Sequence, residues 1–346
     1  MPTTPGPRPM SAPPASAGAN FDRDGALALL TMMERIRAFE EQAMRAADEK
    51  LVLGAIHPSI GQEGVAAGVM SPLRRDDVML STHRGHGHTL AKGADALAMM
   101  RELLGREGGA CGGKGGSMHI ADFGVGMLGA NGVVGANIVI AAGAAHGVKL
   151  RGEDKVVVCL FGDGAANRGP FLEGLNWAAV FGLPILFVCE DNRYSATTLT
   201  ADATAGPGPA ARAESLGLTA HRLDGNDVLA VEALAKDAAA RLRAGGGPEF
   251  IHAVTYRQTG HTSFDPAAYR PEGEAADMRA SDDPVARLRA ALALAGEPEA
   301  ALDAVHAAAQ SEMIEVYEAA KATGWPALDR AFADTQDVGD PRVEAY

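Results

Sequence analysis

Gly162-Asp163-Gly164-Ala165-Ala166-Asn167, and the Asn192 that stands 29 positions after Asp163, decide how this chain is read. The first piece closes the continuous apolar run Val156-Val157-Val158-Cys159-Leu160-Phe161. The second follows Pro184-Ile185-Leu186-Phe187-Val188-Cys189 and Glu190-Asp191. Unbroken apolar runs of this length read as strands buried on both faces, as in a parallel sheet. Residues 171–181 between them suffice for one crossover helix. Such a strand–helix–strand unit predicts Asp163 and Asn192 side by side at the carboxyl ends of neighbouring strands, the edge where open α/β sheets bind ligands. One anionic and one neutral oxygen donor suit a hard cation such as Mg²⁺, which fills its octahedron with phosphate oxygens and water. Gly162 and Gly164 leave the backbone open to a diphosphate, and the following helix offers its N–H groups.

Two other readings compete. A lone Gly-Asp-Gly also serves as a tight strand–helix turn with no ligand. The dinucleotide pattern Gly-x-Gly-x-x-Gly fails at Asn167, where a third glycine is required, and lacks the acidic residue expected about 20 positions on. The Gly-Asp-Gly and the spaced asparagine together resemble the thiamine diphosphate fingerprint.

Composition bounds the remaining choices. The 346 residues are 22% charged and 47% hydrophobic, an ordinary globular balance with room for one large or two modest domains. Aromatic residues make up 5% and the net charge is −13, which disfavours nucleic acid or an anionic membrane as partner. Cys111, Cys159 and Cys189 form no metal or disulfide pattern. Two of them fall inside apolar strands, which fits core thiols in a reducing cytoplasm. No run of 18 apolar residues marks a membrane span. Residues 1–20, rich in Pro, Ala, Ser and Gly without an apolar core, read as a disordered tail rather than a secretory signal. Residues 21–330 read as a single α/β domain with helical N- and C-terminal elements, followed by an extended tail over 331–346.

In chain order, Asp22 caps an amphipathic helix running to about Lys50. His57-Pro58-Ser59-Ile60-Gly61-Gln62-Glu63-Gly64 is a turn leading into a helix to Met70, and Val78-Met79-Leu80 is a short strand. Ser81-Thr82-His83-Arg84-Gly85-His86-Gly87-His88 follows. Its three histidines admit a zinc site, but no fourth ligand follows at suitable spacing and Arg84 would repel the metal. They also admit capping or core roles. The favoured reading is a phosphate-facing loop with Arg84 as the fixed cation and a histidine, His86, for proton transfer. The glycine-rich run from Gly108 to His119 is either a linker or a loop folded tightly around something. It continues into Gly129-Ala130-Asn131-Gly132-Val133-Val134-Gly135, a turn that opens a small-residue helix over 138–148. Strands are expected at 218–223 and 250–256, with a helix at 227–244 between them. The loop 257–270 carries His261, and such long loops at strand ends commonly carry function. Asp283-Pro284 starts a helix, and 302–320 is the last amphipathic one.

Together with the fingerprint, Gly113-Lys114-Gly115-Gly116-Ser117-Met118-His119 and Tyr256-Arg257, Gly260-His261, Asp265-Pro266 and Tyr269-Arg270 resemble the α subunit of the E1 component of 2-oxo acid dehydrogenase complexes. The resemblance covers roughly residues 25–325. The stretches 81–88, 117–122 and 127–132 are most similar to acetoin dehydrogenase α chains. The resemblance implies a three-layer thiamine diphosphate-binding fold, a mostly parallel sheet with helices on both faces. It implies Mg²⁺ on Asp163, Asn192 and the Tyr194 carbonyl, and the diphosphate on Arg84 and His261. His261 also faces the reacting carbon, Gly132 and Val134 meet the aminopyrimidine, and Gly164 and Ala165 lie along the phosphates. Two positions depart from pyruvate-type chains. His83 stands where a Tyr is usual, and Thr259 where a His is frequent.

No second α/β unit remains to supply the glutamate that the pyrimidine ring requires, so a separate β subunit in an α2β2 heterotetramer is implied. The expected activity is cleavage of acetoin, or alternatively of pyruvate or a branched-chain 2-oxo acid, with oxidative transfer of the acyl unit to a lipoyl group of E2. His261 and His86 are the candidates for proton handling. A non-catalytic chain that binds the cofactor or a partner is the competing reading of another class. The intact Asp163, Asn192 and His261 argue against it.

Overall fold

A computed structural model describes residues 21–333 apart from Leu53. The tail expected over 1–20, and the C-terminal stretch beyond residue 333, lie outside the described residues. Helix α1 (Arg23–Asp48) starts where Asp22 accepts the Asp24 N–H, as the sequence predicts. After α2 (Glu63–Met70) come β1 (Val78–Thr82), α3 (His86–Ala91) and α4 (Ala96–Leu103), then β2 (Met127–Asn131) and α5 (Ala136–Leu150). The two apolar runs form β3 (Val157–Gly162) and β4 (Ile185–Asp191), joined by α6 (Gly169–Phe181). A small hairpin of β5 (Tyr194–Ser195) and β6 (Thr198–Leu199) leads to α7 (Thr200–Ala203) and α8 (Pro209–Ser215). Then follow β7 (Thr219–Asp224), α9 (Val228–Arg243), β8 (Glu249–Val254), α10 (Glu274–Asp282), α11 (Pro284–Leu294) and α12 (Glu299–Ala322).

Six strands make one sheet in the order β2-β1-β3-β4-β8-β7, with every neighbouring pair parallel. Side chains alternate across it with period two. Val157, Cys159, Phe161, Ile185, Phe187 and Cys189 pack with Ile138, Ala141, Phe171 and Leu175 of α5 and α6. Val158, Leu160, Leu186 and Val188 face the opposite layer with residues of α1, α2, α4, α9 and α12. The sheet therefore lies between two helical layers, the three-layer α/β arrangement expected. Crossovers running in opposite directions along the sheet lie on opposite faces, which follows from their right-handedness.

Helices α1 and α12 pair along the outside, tied by Arg35–Glu312 (2.7 Å) and Arg45–Glu318 (3.0 Å), and by Tyr317 and Lys321 donating to Glu49 (2.7 and 2.6 Å). Several elements were not anticipated: α3, the β5–β6 hairpin, α7 and α8, which lie in stretches that read as loop, and β2 and α10. Met127-Leu128-Gly129-Ala130-Asn131 contains no β-branched residue and is drawn into the sheet by pairing with β1 alone. Gly273, in the left-handed region at φ +82°, turns the chain into α10 after a proline-containing stretch that reads as loop.

Strand succession reverses between β1 and β3: the chain moves out to β2 and returns on the other side of β1. This is the topological switch point, where the carboxyl ends of strands open a crevice.

Candidate active site

A cleft occupies that crevice. It encloses about 950 Å³, counting solvent at its mouth. Thr82, His83 and Arg84 enter from the end of β1, and Gly132–Gly135 from the end of β2. Gly162–Ala165 come from β3, Glu190, Asn192 and Tyr194 from β4 and its hairpin, and Arg257 and His261 from beyond β8. Gly162 and Glu190 are register partners, so Asp163 and Asn192 leave adjacent strands next to each other. Among the residues predicted, His83, Arg84, Gly132, Val134, Asp163, Gly164, Ala165, Asn192, Tyr194 and His261 all line this cleft.

Two local expectations change. A short 3₁₀ turn, Asp163–Asn167, precedes α6, so α6 itself starts farther from the strand end than the sequence suggests. Gly162 faces open space, but a Cβ on Gly164 would collide with the Ser195 hydroxyl. The second glycine therefore makes room for the hairpin as well as the cleft.

The oxygen donors are arranged but not saturated. Asp163 is 2% exposed, with Thr200 Oγ1 donating to its Oδ2 at 2.7 Å. Burial, and then the neighbouring Asp191, push the Asp163 carboxyl up to about 6. Asn192 Oδ1 accepts the Tyr194 N–H at 3.3 Å, while its amide donates to Gln62 Oε1 at 2.9 Å. The Tyr194 carbonyl accepts from Arg257 at 3.2 Å. Among the described residues, Gln62 Nε2 is a buried donor without a partner, which suits an oxygen-rich guest. An all-oxygen donor set of one carboxylate, one amide and one carbonyl suits a hard cation rather than a soft metal.

Positive charge faces this set. Arg84, 4% exposed, donates to Pro58 O at 2.5 Å and to His261 O at 3.2 Å. Burial and the nearby Arg257 hold its guanidinium down at about 9, so it is a cation at neutral pH. Arg257, 1% exposed, gives its donors to the Tyr194 and Ala196 carbonyls and the Tyr269 hydroxyl. His261 is held by its loop: its N–H donates to Asp265 Oδ2 at 2.6 Å, which also accepts from Tyr269 at 2.8 Å. Burial, with Arg84 next, lowers the His261 imidazole to about 4, and His57 and His83 to about 3 and about 2. All three are neutral at pH 7.

The histidines sort differently from the expectation. His83, His86 and His88 do not converge. Instead His57, His83 and His261 cluster, with ring nitrogens within 4.8 Å of one another, beside the Arg84 cation. His86 does not reach the cleft, a correction to its expected role in proton transfer there. It is fully buried, its Nδ1 2.9 Å from Glu40 Oε2 and its Nε2 2.9 Å from Ser117 Oγ. Both ring nitrogens are engaged, which makes it a core histidine. Glu40 also accepts from the Ser59 N–H and hydroxyl through Oε1 (2.9 and 2.7 Å). Glu40→Gln sets an amide donor against donors in a buried site and should cost about 2–3 kcal/mol, read from urea unfolding. A loss under about 0.5 kcal/mol would mean that the network carries little of the fold's stability.

Sequence reasoning missed His57, Gln62, Thr200 and Arg257 as cleft or supporting residues. Arg257 had a signal, since it follows a strand end on the same edge as Asp163. His57 and Gln62 sit in the turn before α2 and Thr200 opens α7, and no spacing marks any of the three.

Fold and cleft thus define a protein built to hold an anionic, oxygen-rich ligand, with cationic side chains facing an oxygen set fit for a hard metal. Residues 31–329 match the family model described as the dehydrogenase E1 component. The α subunit of acetoin:2,6-dichlorophenolindophenol oxidoreductase from Bacillus subtilis is 44% identical over 257 residues, 74% of this chain and 77% of the relative. Its counterpart from Cupriavidus necator is 42% identical over 268 residues, covering 78% and 80%. The pyruvate dehydrogenase E1 α subunit of Zymomonas mobilis is 37% identical over 324 residues, covering 93% and 91%. The chain belongs to the dehydrogenase E1 component family, thiamine diphosphate-dependent oxidoreductases. Among the described residues, no helix is long and apolar enough to cross a membrane.

Proposed function

We propose that this chain holds thiamine diphosphate through Mg²⁺ in the cleft and acts as the α subunit of an α2β2 E1 enzyme that cleaves acetoin. The carrying observation is the convergence of Asp163, Asn192 and the Tyr194 carbonyl with Arg84 and His261 at the switch point. Asp163, Asn192 and Tyr194 O would ligate the cation. Arg84 would pair with the diphosphate, and Gly132 and Val134 would flank the aminopyrimidine. The cofactor, when bound, supplies a carbanion and an electron sink for cleavage beside a carbonyl. His261, neutral at pH 7, can accept a proton in the cleft. Acetoin cleavage releases acetaldehyde, and the remaining two-carbon unit leaves as an acetyl thioester on a lipoyl group of E2, whose disulfide takes up the electron pair.

The acetoin assignment is supported by the two relatives named for acetoin. The relative named for pyruvate, matched over nearly the whole chain, favours pyruvate as a second reading. A β partner is supported by an exposed apolar face on α5 and α6. Ile140, Leu150, Leu172, Trp177 and Val180 are 47–79% exposed there, more than an isolated chain keeps on one face. Val133 and Val134, also exposed, carry that face to the mouth of the cleft. The test is calorimetric titration of thiamine diphosphate with Mg²⁺ into the chain, alone and with its β-type partner. The same samples would be assayed on acetoin and pyruvate with an artificial electron acceptor. Turnover only in the two-chain sample with acetoin preferred is expected; preference for pyruvate would move the substrate, and absence of binding would refute the reading.

A further inference from the structure

The glycine-rich run from Gly108 to His119 is neither helix nor strand, and it folds around a side chain of its own chain. Glu102, near the end of α4 and 1% exposed, accepts the Cys111 and Gly113 N–H groups on Oε2 at 2.7 and 2.8 Å. Its Oε1 accepts those of Gly115 and Gly116 at 2.7 and 3.1 Å. Converging backbone N–H groups of this kind form an anion-binding concavity, and here the anion is built in. Side chains would not fit at Gly109, Gly113 or Gly115. A Cβ at Gly109 would lie 2.5 Å from Glu102 Oε2 and 2.9 Å from its Cα.

The far end of the loop is fixed by the buried Glu40–His86 pair, through the Ser117 hydroxyl. Next to that anchor, Met118 lines the cleft, its sulfur 3.7 Å from where a Cβ on Gly132 would stand. Gly132 belongs to the β2 side of the cleft, whereas Asp163 and Asn192 stand just past the ends of β3 and β4.

We propose that Glu102 is a positioning residue, whose carboxylate folds the glycine-rich loop so that Met118 walls the aminopyrimidine end of the cleft beside Gly132. The inference rests on reading the cleft as a thiamine diphosphate site. It concerns one end of that site only, and this makes it separable from the metal end.

Glu102→Gln turns one acceptor oxygen into a donor facing donors. In the full chain with its β-type partner, thiamine diphosphate with Mg²⁺ should then bind on the order of tenfold more weakly, the loss of one apolar wall contact. Inorganic diphosphate with Mg²⁺ does not extend to Met118 and should bind within about twofold of wild type. Limited proteolysis should cut the variant faster within 108–116. Met118→Ala should reproduce the selective loss without the faster cleavage. Equal affinity of Glu102→Gln and wild type for both ligands would overturn the proposal, as would equal losses for both. Should Glu102→Gln fail to fold, unchanged thiamine diphosphate affinity in Met118→Ala would overturn it alone. Wild-type protein that binds neither ligand would remove the cleft reading itself, and the proposal with it.

Discussion

Asp163→Asn should raise the thermal midpoint of the cofactor-free chain and, in the same protein, strongly weaken Mg²⁺-dependent binding of thiamine diphosphate. Burial first, and Asp191 second, lift this carboxyl to about 6 from an ordinary 3.8. Below pH 4 it is protonated in folded and unfolded chains alike. As pH rises through 6 the unfolded chain has already lost its proton, while the folded chain must carry a buried charge. Stability falls across that window by about 3 kcal/mol, the equivalent of about two pK units. Asparagine removes the charge and keeps an oxygen for the Thr200 hydroxyl, so the midpoint should rise by a few degrees at pH 8 and by less at pH 5. A lower midpoint at pH 8 would contradict the buried-charge account. Binding should weaken on the order of a hundredfold or more, because a neutral amide is a poor ligand for a hard cation. The wild-type chain should itself bind the cation more weakly below pH 6, about tenfold per pH unit, as protons compete for Asp163.

His261→Ala should lower turnover on the order of 10²- to 10⁴-fold, the range for loss of a general acid or base, with cofactor affinity changed by about tenfold at most. Arg84 and the oxygen set remain to hold the diphosphate. In the cofactor-free chain, burial, then Arg84 and Arg257, keep the imidazole at about 4. A bound diphosphate brings negative charge to the same cations and so moves the imidazole back toward its ordinary value. The acid limb of the kcat–pH profile should therefore lie above pH 4 and vanish in the variant. An acid limb that persists unchanged in His261→Ala would assign it to another group and remove His261 from proton transfer.

The parts of the fold legible in the sequence were those decided locally. The apolar runs before Asp163 and Asn192 could only be buried parallel strands, and Asp22 and Asp283-Pro284 are caps whose chemistry is complete within one turn. Strand β2 was not legible because its residues have no strand preference, and pairing with β1 alone decides it. The cleft was legible where strand ends carry it, at Asp163, Asn192, Arg84 and His261. It was misread where long-range packing decides. His86 stands two residues after Arg84, yet Glu40, 46 positions away on another helix, turns its ring into the core. Gly164, read against a phosphate, lines the cleft and also makes room for Ser195, a contact that only the hairpin creates. The resemblance to acetoin dehydrogenase α chains rested on residues 81–88, 117–122 and 127–132, and the 44% and 42% identical relatives carry the acetoin name.

The pairing of α1 with α12 also sets the order in which this molecule can be completed during synthesis. Phe39, Ala43 and Ala46 of α1 share a core with Met313, Tyr317 and Ala320, some 270 positions later. While the ribosome is still making the sheet, α1 has emerged with its outer flank bare, and the residues that cover it have not been made. None of the six main strands can close as a local hairpin, since each parallel pair waits for a crossover. The growing chain therefore carries apolar surface for most of its translation, the period in which chains of this kind are most exposed to aggregation and to chaperone capture. The last long helix acts as a clasp, and its arrival turns a partly assembled layer into a closed one.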